Sequence, residues 1–395
     1  MRHRLLAAVA AACLGAATCI GGTARAADAT RGVTDSEITI GTYTDLSGVT
    51  AMWGVNNSNA IRMVFDEINA KGGINGRKIH YIVEDNQYNV PRSVQAANKL
   101  INRDNVFLLL ANDGTPMNNA VLPEQLEKGV PNMFPLTSAR SMYEPYNRLK
   151  FGLYASYYDQ MRAGVKQVME KEHIKAPCAL WQDTDFGRDV MAGVYAQLKA
   201  MNVKLVAEAS HKPTDTDFTA SVARMRDAKC DFLFVASIVR DTNLIISVAR
   251  KGGWNVPMMG PASTYDVNVA DVPGDANEGF RAMTPALYVY PDDPRPEIQA
   301  FVKAYKAQFG HEPNWAAELG YSGAHLLAEG LGRAGKNLTL DSFITAMESI
   351  KDYHDMFGAP PVSFGPGVRV GSKKSYMVVV HNGRWEPVTK EPIGY

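Results

Sequence analysis

The sequence predicts an α/β protein of two similar lobes, each a doubly wound parallel sheet. Three observations carry this expectation. Short apolar runs alternate with segments of helical period along most of the chain, the signature of βαβ units. The alternation pauses at the extended stretch FGLYASYYDQ, which begins at Phe151, and then starts afresh. The length left after an N-terminal export segment, about 370 residues, suits two domains of about 150 each.

Taken in order, EITIGTYT reads as a strand. Ile61, Val64, Phe65 and Ile68 then recur at helical spacing, and Gly72-Gly73 ends that helix. RKIHYIVED is a strand, SVQAANKLINRD a helix and NVFLLLAND a buried strand. A helix from about Met117 to Glu127 follows, and then the strand VPNMFPL. After the pause come strand CALWQD, helix RDVMAGVYAQLKAM, strand KLVAEAS, helix DFTASVARMRDA, strand DFLFVAS, helix TNLIISVARKG and strand PMMGPAS. The later chain is less regular, with helices near Pro296 to Phe309, Ala316 to Arg333 and Leu340 to Ser349. Strands SYMVVVHN and RWEPV close it, joined through the Asn-Gly turn of HNGRW, so the chain returns to finish one lobe.

The N-terminus reads as a secretory signal over residues 1–26. MRHR is a positive n-region, LLAAVAAACLGAATCIGG an apolar h-region and Ala24-Arg25-Ala26 an A-x-A cleavage site. Cys13 and Cys19 each follow alanine, where a lipoprotein signal favours a leucine-type residue, so a soluble exported protein is expected rather than a lipid-anchored one. Cleavage removes three arginines and no acids, and leaves 38 basic against 41 acidic residues. Such a near-neutral chain lacks the clustered basic face that a nucleic-acid partner requires. No later stretch approaches the roughly 20 apolar residues of a membrane span.

Two cysteines remain, Cys178 before the first strand of the second lobe and Cys230 before the third. In a lobe ordered 2-1-3-4-5 those strands are parallel neighbours, so a bridge at their amino-terminal edge is sterically reasonable in an oxidising compartment. Two buried free thiols fit the sequence as well.

Signs of catalysis are missing. No Walker loop, GxGxxG, HExxH, CxxC or Gly-x-Ser-x-Gly elbow occurs. GGING at Gly72 to Gly76 follows a helix and precedes a strand, the wrong order for a phosphate cradle. The histidines, among them His80, His173, His211 and His354, are scattered and none pairs at i, i+4 with another ligand. No metal site, no cofactor and no enzyme activity are expected.

Ligands of open α/β sheets sit outside the carboxyl ends of strands. Here those ends are conspicuous. The first lobe offers Thr44-Asp45-Leu46-Ser47-Gly48 with Trp53 beyond, then Ala111-Asn112-Asp113-Gly114-Thr115, then Pro135-Leu136-Thr137-Ser138. Two of these loops run into helices, so free N–H groups, hydroxyls and a helix dipole would converge on a spot suited to a carboxylate. Trp53 would add an apolar or cation–π face. The second lobe offers Asp183 to Gly187, SIVRDTN and Gly260 to Tyr265. Each loop alone is an ordinary turn; together they suggest a binding cleft between lobes.

ITIGTYTDLSGVTAMWG, AIRMVFDEINAKGGINGRKIHYIVEDNQYNVPRSVQAANKLI, DTDFGRD and TDTDFTASVARMRDAKCDFLFVAS resemble the branched-chain amino-acid type of periplasmic solute-binding protein. The resemblance runs from about Ser36 to Trp385. It implies the type I fold, in which two Rossmann-like lobes are linked by a three-segment hinge and close on a ligand. It further implies a monomeric periplasmic receptor, no catalysis, a small-molecule ligand and an ABC permease in the inner membrane as partner. The ligand shell it implies falls on the loop from Ser47 to Trp53, on Thr115, and on Leu136, Thr137 and Ser138. Phe186 and the loop from Pro261 to Tyr265, with Ser263 and Tyr265, complete it; Trp53 is expected as a cleft wall rather than a core plug. Asp113 and Gly114, at the strand end beside Thr115, and the nearby aromatic Tyr154 are expected at the site from the residues themselves.

Two departures bear on the ligand. Amino-acid binders of this type need an acid in the second lobe to pair with the ligand ammonium, and this chain has Ala262 and Ser263 there. Asp183, Asp185 or Asp266 could substitute. Asp113 stands where the family has a small or apolar residue; it would repel a carboxylate unless neutralised, or else meet a polar or cationic part of the ligand. With Trp53, Tyr154, Phe186 and Tyr265 nearby, a small organic acid, aromatic in body, is expected ahead of a branched-chain amino acid. A periplasmic sensor for a membrane signalling receptor is the rival reading. The lobes are expected at 33–152 with 285–354 and at 153–284 with 355–395, hinged near Phe151 to Tyr154, Met283 to Ala286 and Asp352 to Gly358.

Overall fold

A computed structural model describes residues 30–395, so the signal segment expected over 1–26 lies outside the described residues. Five strands form the first sheet: β1 (Glu37–Thr44), β2 (Lys78–Asp85), β3 (Leu108–Leu110), β4 (Asn132–Met133) and β5 (Lys150–Phe151). They run parallel in the order β2-β1-β3-β4-β5. The crossovers carry α1 (Ala51–Ala70), α2 (Val90–Asn98) and α3 (Thr115–Glu127). All three leucines of β3 are buried, and α1 buries Ile61, Val64 and Phe65 in the same core. Each such side chain contributes about 1.5–3 kcal/mol by leaving water.

The second sheet repeats the pattern with β6 (Pro177–Gln182), β7 (Ala207–His211), β8 (Phe232–Ala236), β9 (Met258–Gly260) and β10 (Arg281–Thr284). Its helices are α4 (Tyr157–Glu172), α5 (Asp185–Ala200), α6 (Thr219–Asp227), α7 (Val239–Lys251) and the single turn α8 (Val267–Ala270). Then α9 (Pro296–Phe309), α10 (Trp315–Ala334) and α11 (Leu340–Glu348) return to the first lobe, where α10 lies along α1. The chain ends with β11 (Tyr376–His381) and β12 (Arg384–Pro387), which add antiparallel to β10. Asn382 and Gly383 turn that hairpin at φ 50° and 74°, as a tight two-residue loop requires. The full order is β12-β11-β10-β9-β8-β6-β7. Both sheets thus share the 2-1-3-4-5 core order.

Two helices escape the sequence reading, the single turn α8 and the longer α4. Residues 157–172 form α4, with Ser156 capping through the Asp159 amide and Met161, Val165, Val168 and Met169 buried. The period is present in the sequence, but the aromatic run YASYYDQ reads as extended. Cys178 also lies inside β6 rather than before it.

The chain passes between the sheets three times, and the third passage differs from expectation. Residues 355–370, expected in the second lobe, pack against the first. Phe364 sits on Phe134 and Phe151 at ring distances of 6.0 and 5.2 Å. The buried guanidinium of Arg369 reaches the Glu348 carboxylate and the Arg148 carbonyl. Gly152 donates to the Arg369 carbonyl, and Gly371 donates to the Gly152 carbonyl, so the first and third passages run side by side. The third crossing therefore falls after 370. The Gly/Pro-rich FGAPPVSFGPGVRVG carries neither helical nor strand period, and nothing in its pattern reveals its neighbours.

Close approach of helix and strand explains two glycines. A Cβ on Gly54 would stand 2.0 Å from the Asp45 carbonyl oxygen, and one on Gly187 1.8 Å from the Gln182 carbonyl oxygen. Both positions let the helix that follows a lobe's first strand rest on the end of that strand. Gly54→Ala is expected to destabilise the protein by about 1–3 kcal/mol through overpacking, read as a lower midpoint in urea.

A disulfide joins Cys178 to Cys230 with Cα atoms 5.8 Å apart, at the amino-terminal edge of β6 and β8. It closes a loop of sequence separation 52. Replacing both cysteines by serine is expected to cost about 2–4 kcal/mol of stability. Solute affinity should be unchanged, since the bridge lies at the opposite end of the strands from the loops described next; denaturation and calorimetry of the double variant check both.

Candidate functional site

The carboxyl ends of β1, β3 and β4 face those of β6, β8 and β9 across a cavity of about 1080 Å³, measured to its open mouth. Loops from both lobes and the start of α10 line it. Two strands end on strained backbone beside it: Ala111 after β3 at φ 54° and Phe134 after β4 at φ 49°. Non-glycine residues rarely hold such angles, and they concentrate where a site dictates geometry. The turn at Phe134 cuts β4 to two residues and sends Leu136, Thr137 and Ser138 to the cavity wall.

The loop after β1 is built around a buried carboxylate. Asp45, fully buried, accepts from the amides of Ser47, Gly48 and Thr50 and from the Thr50 hydroxyl at 2.8 Å. The Leu46 amide and the Ser47 hydroxyl bond Asp85 at 2.9 and 2.6 Å. The amides of Leu46, Ser47, Gly48 and Thr50 are therefore already satisfied inside the protein. Ser47, expected to touch ligand, is exposed and points to Asp85 instead. A Cβ on Gly48 would stand 2.9 Å from both Asp45 oxygens, which accounts for that glycine. Trp53, one turn into α1, is half-buried and forms part of the cavity wall.

The start of α3 is the polar centre. Gly114 takes φ 83° as its N-cap, and Thr115 and Thr137 share a hydroxyl–hydroxyl bond of 2.6 Å. Helix geometry leaves the amides of Thr115 and Met117 without an intrahelical partner. Asp113 lines the cavity just ahead of them, 5% exposed. Burial pushes its carboxyl up to about 7. Among the described residues that line the cavity it is the one acid, and none is Lys, Arg or His.

From the second lobe come Phe186, Ile238, Val239 and Ser263. Phe186 is buried edge-on against Tyr157 at 5.1 Å. Ser263 donates to the Ser237 carbonyl at 3.0 Å. Tyr154, in the first passage, lines the cavity with its ring and donates to Asp355 at 2.7 Å. The three acids considered as ammonium partners are engaged elsewhere. Asp183 pairs with Arg188, Asp185 accepts from Asn119, and the buried Asp266 caps α8 and accepts from Asn314.

Of the expected residues, Trp53, Asp113, Gly114, Thr115, Leu136, Thr137, Ser138, Tyr154, Phe186 and Ser263 meet at this cavity. Tyr265 does not. Its hydroxyl accepts from the Tyr288 amide at 2.6 Å, and its ring packs behind Trp315 and against Trp385. The wall position belongs to Trp315, whose buried indole Nε1–H has no partner among the described residues. The sequence reading placed this tryptophan just outside its helix; Asn314, which caps α10, was the available signal. Tyr88, Tyr143 and Leu319 were missed as well.

Some contacts already span the lobes. Arg140 binds Asp189 through Nε at 2.9 Å and through its amide at 3.2 Å, and Asn119 binds Asp185 at 2.9 Å. A buried Ser237–His211 bond of 2.7 Å beside Asp241 has the composition of a hydrolase triad. Ser237 is wholly enclosed, so no substrate reaches it. The arrangement encloses and orients a solute; it offers no reaction.

Comparison with known proteins agrees. The sequence matches the profile of the periplasmic binding protein family over residues 37–384. The leucine-, isoleucine-, valine-, threonine- and alanine-binding protein of Pseudomonas aeruginosa is 22% identical over 74% of this chain and 77% of its own. The fatty acid ABC transporter substrate-binding protein from Thermomonospora curvata superposes with TM-score 0.82 at 24% identity, covering 93% of this chain and 94% of that one. The solute-binding protein from Rhodopseudomonas palustris BisB5 in complex with 3,4-dihydroxybenzoic acid gives 0.78 at 24%, covering 91% and 98%. With two parallel-sheet lobes, an interlobe cleft and a family match over nearly all the described residues, this chain belongs to the periplasmic binding protein family, as a non-catalytic solute-binding protein of the branched-chain amino-acid type.

Proposed function

We propose that this protein is the exported receptor of an ABC importer for a small organic acid with an aromatic or apolar body. The observation that carries the choice of solute is the charge pattern of the cleft. Aromatic and aliphatic side chains dominate its lining, hydroxyls and helix-start amides gather at Thr115, Thr137 and Ser138, and the second-lobe wall holds no acid to receive an ammonium. A buried ammonium without a partner is costly, which disfavours an α-amino acid. A carboxylate suits the opening of α3, where amides and the helix dipole favour negative charge. The R. palustris protein that shares this fold holds 3,4-dihydroxybenzoic acid, a solute of this kind.

Recognition proceeds by closure. The solute docks on the first lobe at α3 and Trp53, and Phe186, Ile238 and Ser263 then fold over it from the second. Closure is favoured only by contacts that the open state lacks. The three passages bend to allow it, the signal segment 1–26 is removed on export, and the loaded monomer is handed to an inner-membrane permease.

A thermal-shift screen of the protein against amino acids, aromatic acids, dicarboxylates and amides tests the solute class. Benzoate or 3,4-dihydroxybenzoate is expected to stabilise, by about 2.7 kcal/mol at a hundredfold excess over Kd. Trp53→Ala and Phe186→Ala should each weaken binding tenfold or more. Tight binding of leucine or valine with silent aromatic acids would reverse the assignment.

A further inference from the structure

We propose that Asp113 enters the binding reaction as a neutral carboxylic acid, so that the cleft takes an anionic solute together with a proton held on this side chain. The second half of this statement rests on the organic-acid reading above.

The first half follows from counting protons. Thr50 Oγ1 lies 2.8 Å from Asp45 Oδ2 and 3.0 Å from Asp113 Oδ2. A hydroxyl has one proton to donate and lone pairs with which to accept. Asp45 is the member dressed as a carboxylate, since three backbone amides already converge on it. Thr50 therefore gives its proton to Asp45. The second short contact is a hydrogen bond only if Asp113 supplies the proton and Thr50 Oγ1 accepts it. The relay runs from Asp113 through Thr50 to the Asp45 carboxylate. Were both acids ionised, two charged oxygens would flank one hydroxyl at a place where Asp45 is 0% and Asp113 5% exposed.

The surroundings offer no other way to offset a second negative charge. Facing Asp113 are Asp45 and Tyr43 from β1 and its loop, Tyr88 after β2 and Tyr157 at the start of α4. Burial pushes all three phenols up, Tyr157 to about 12, so they stay neutral. Burial is also the main cause lifting Asp113 to about 7, with the charge of Asp45 adding to it and Thr50 and nearby amides opposing it. No Lys, Arg or His reaches the described cavity wall. An ionised Asp113 would confront a solute carboxylate with a like charge in a site shielded from water. A protonated one presents a polar neutral edge to it. This resolves how an acid can stand two residues ahead of the helix start that receives an anion.

The sign of the pH dependence follows. An acid whose proton is held more tightly in the bound state loses affinity for its anion as pH rises through its free-state value. With that value at about 7, Kd should be about tenfold higher at pH 8 than at pH 6. Benzoate keeps its charge across this range, so the change reports the protein.

The experiment has two arms. In the first, the ligand-free protein carrying 13C-carboxyl aspartate is titrated by NMR from pH 5 to pH 9, beside Asp113→Asn. A carboxyl that titrates near neutrality and is missing from the variant is expected; an Asp113 already ionised at pH 5 overturns the proposal. In the second, benzoate is titrated calorimetrically into wild-type protein at pH 6 and pH 8, in two buffers of different ionisation enthalpy. About tenfold weaker binding at pH 8, with close to one proton taken up per benzoate at pH 8 and close to none at pH 6, and no pH dependence in Asp113→Asn, is expected. Equal affinity at both pH values in the wild type overturns the coupling without needing a variant. Failure of benzoate to bind at either pH would instead overturn the organic-acid reading, and the NMR arm would still decide the state of Asp113.

Discussion

A single carboxylate withdrawn from water organises the binding face. Asp45 at the end of β1 is fully buried, and a buried charge must be met by donors or the fold loses several kcal/mol. The loop behind it is shaped by that demand. It curls so that amides of Ser47, Gly48 and Thr50 point inward, which forbids a side chain at Gly48. It must then deliver the chain into α1 over the Asp45 carbonyl, which forbids one at Gly54. Trp53 lands at the cavity as a result, because it is the residue before the contact. Thr50, engaged by Asp45, is in turn what Asp113 has to share. One desolvated group thus fixes a turn, a helix seat, an aromatic wall and the state of a second acid.

The division of polarity between the lobes is uneven, and that asymmetry defines the site. The first lobe supplies hydroxyls, helix-start amides and Asp113; the second supplies Phe186, Ile238, Val239 and little charge. Acids nearby in the second lobe exist, but each already has a job: Asp183 with Arg188, Asp185 with Asn119, Asp266 at the start of α8. Loop composition alone would count them as available. Contact geometry removes them, and a cleft rich in neighbouring carboxylates becomes one whose described wall carries a single carboxyl, that of Asp113.

Strand order, the return of the chain at the end and the strand-end loops of the cavity wall were legible because they rest on local signals. Apolar runs, glycine stops and the Asn-Gly turn act within a few residues, and the strand-end rule then assembles the site. What was missed depends on contacts distant in sequence. The aromatic start of α4 looks extended until its buried face is seen against α5. Residues 355–370 show no period, and only Phe364 and Arg369 packing on the first lobe reveals where they belong. Ser47 and Tyr265 sit in loops of the right composition yet are diverted by a carboxylate and by a backbone amide. Trp315 arrives from a helix remote in sequence that no strand-end argument reaches.

Tyr154 belongs to the cavity wall and to the first passage at once. Its ring faces the cavity while its hydroxyl is tied to Asp355, and two residues earlier Gly152 is laced to Arg369 and Gly371. Two backbones laced in this way behave as a ribbon, which flexes across its face but resists sliding within its plane. In the proposed closure, the ring that lines the cavity is anchored through its hydroxyl beside the paired first and third passages, so a solute that displaced this ring would press on the passages that have to bend.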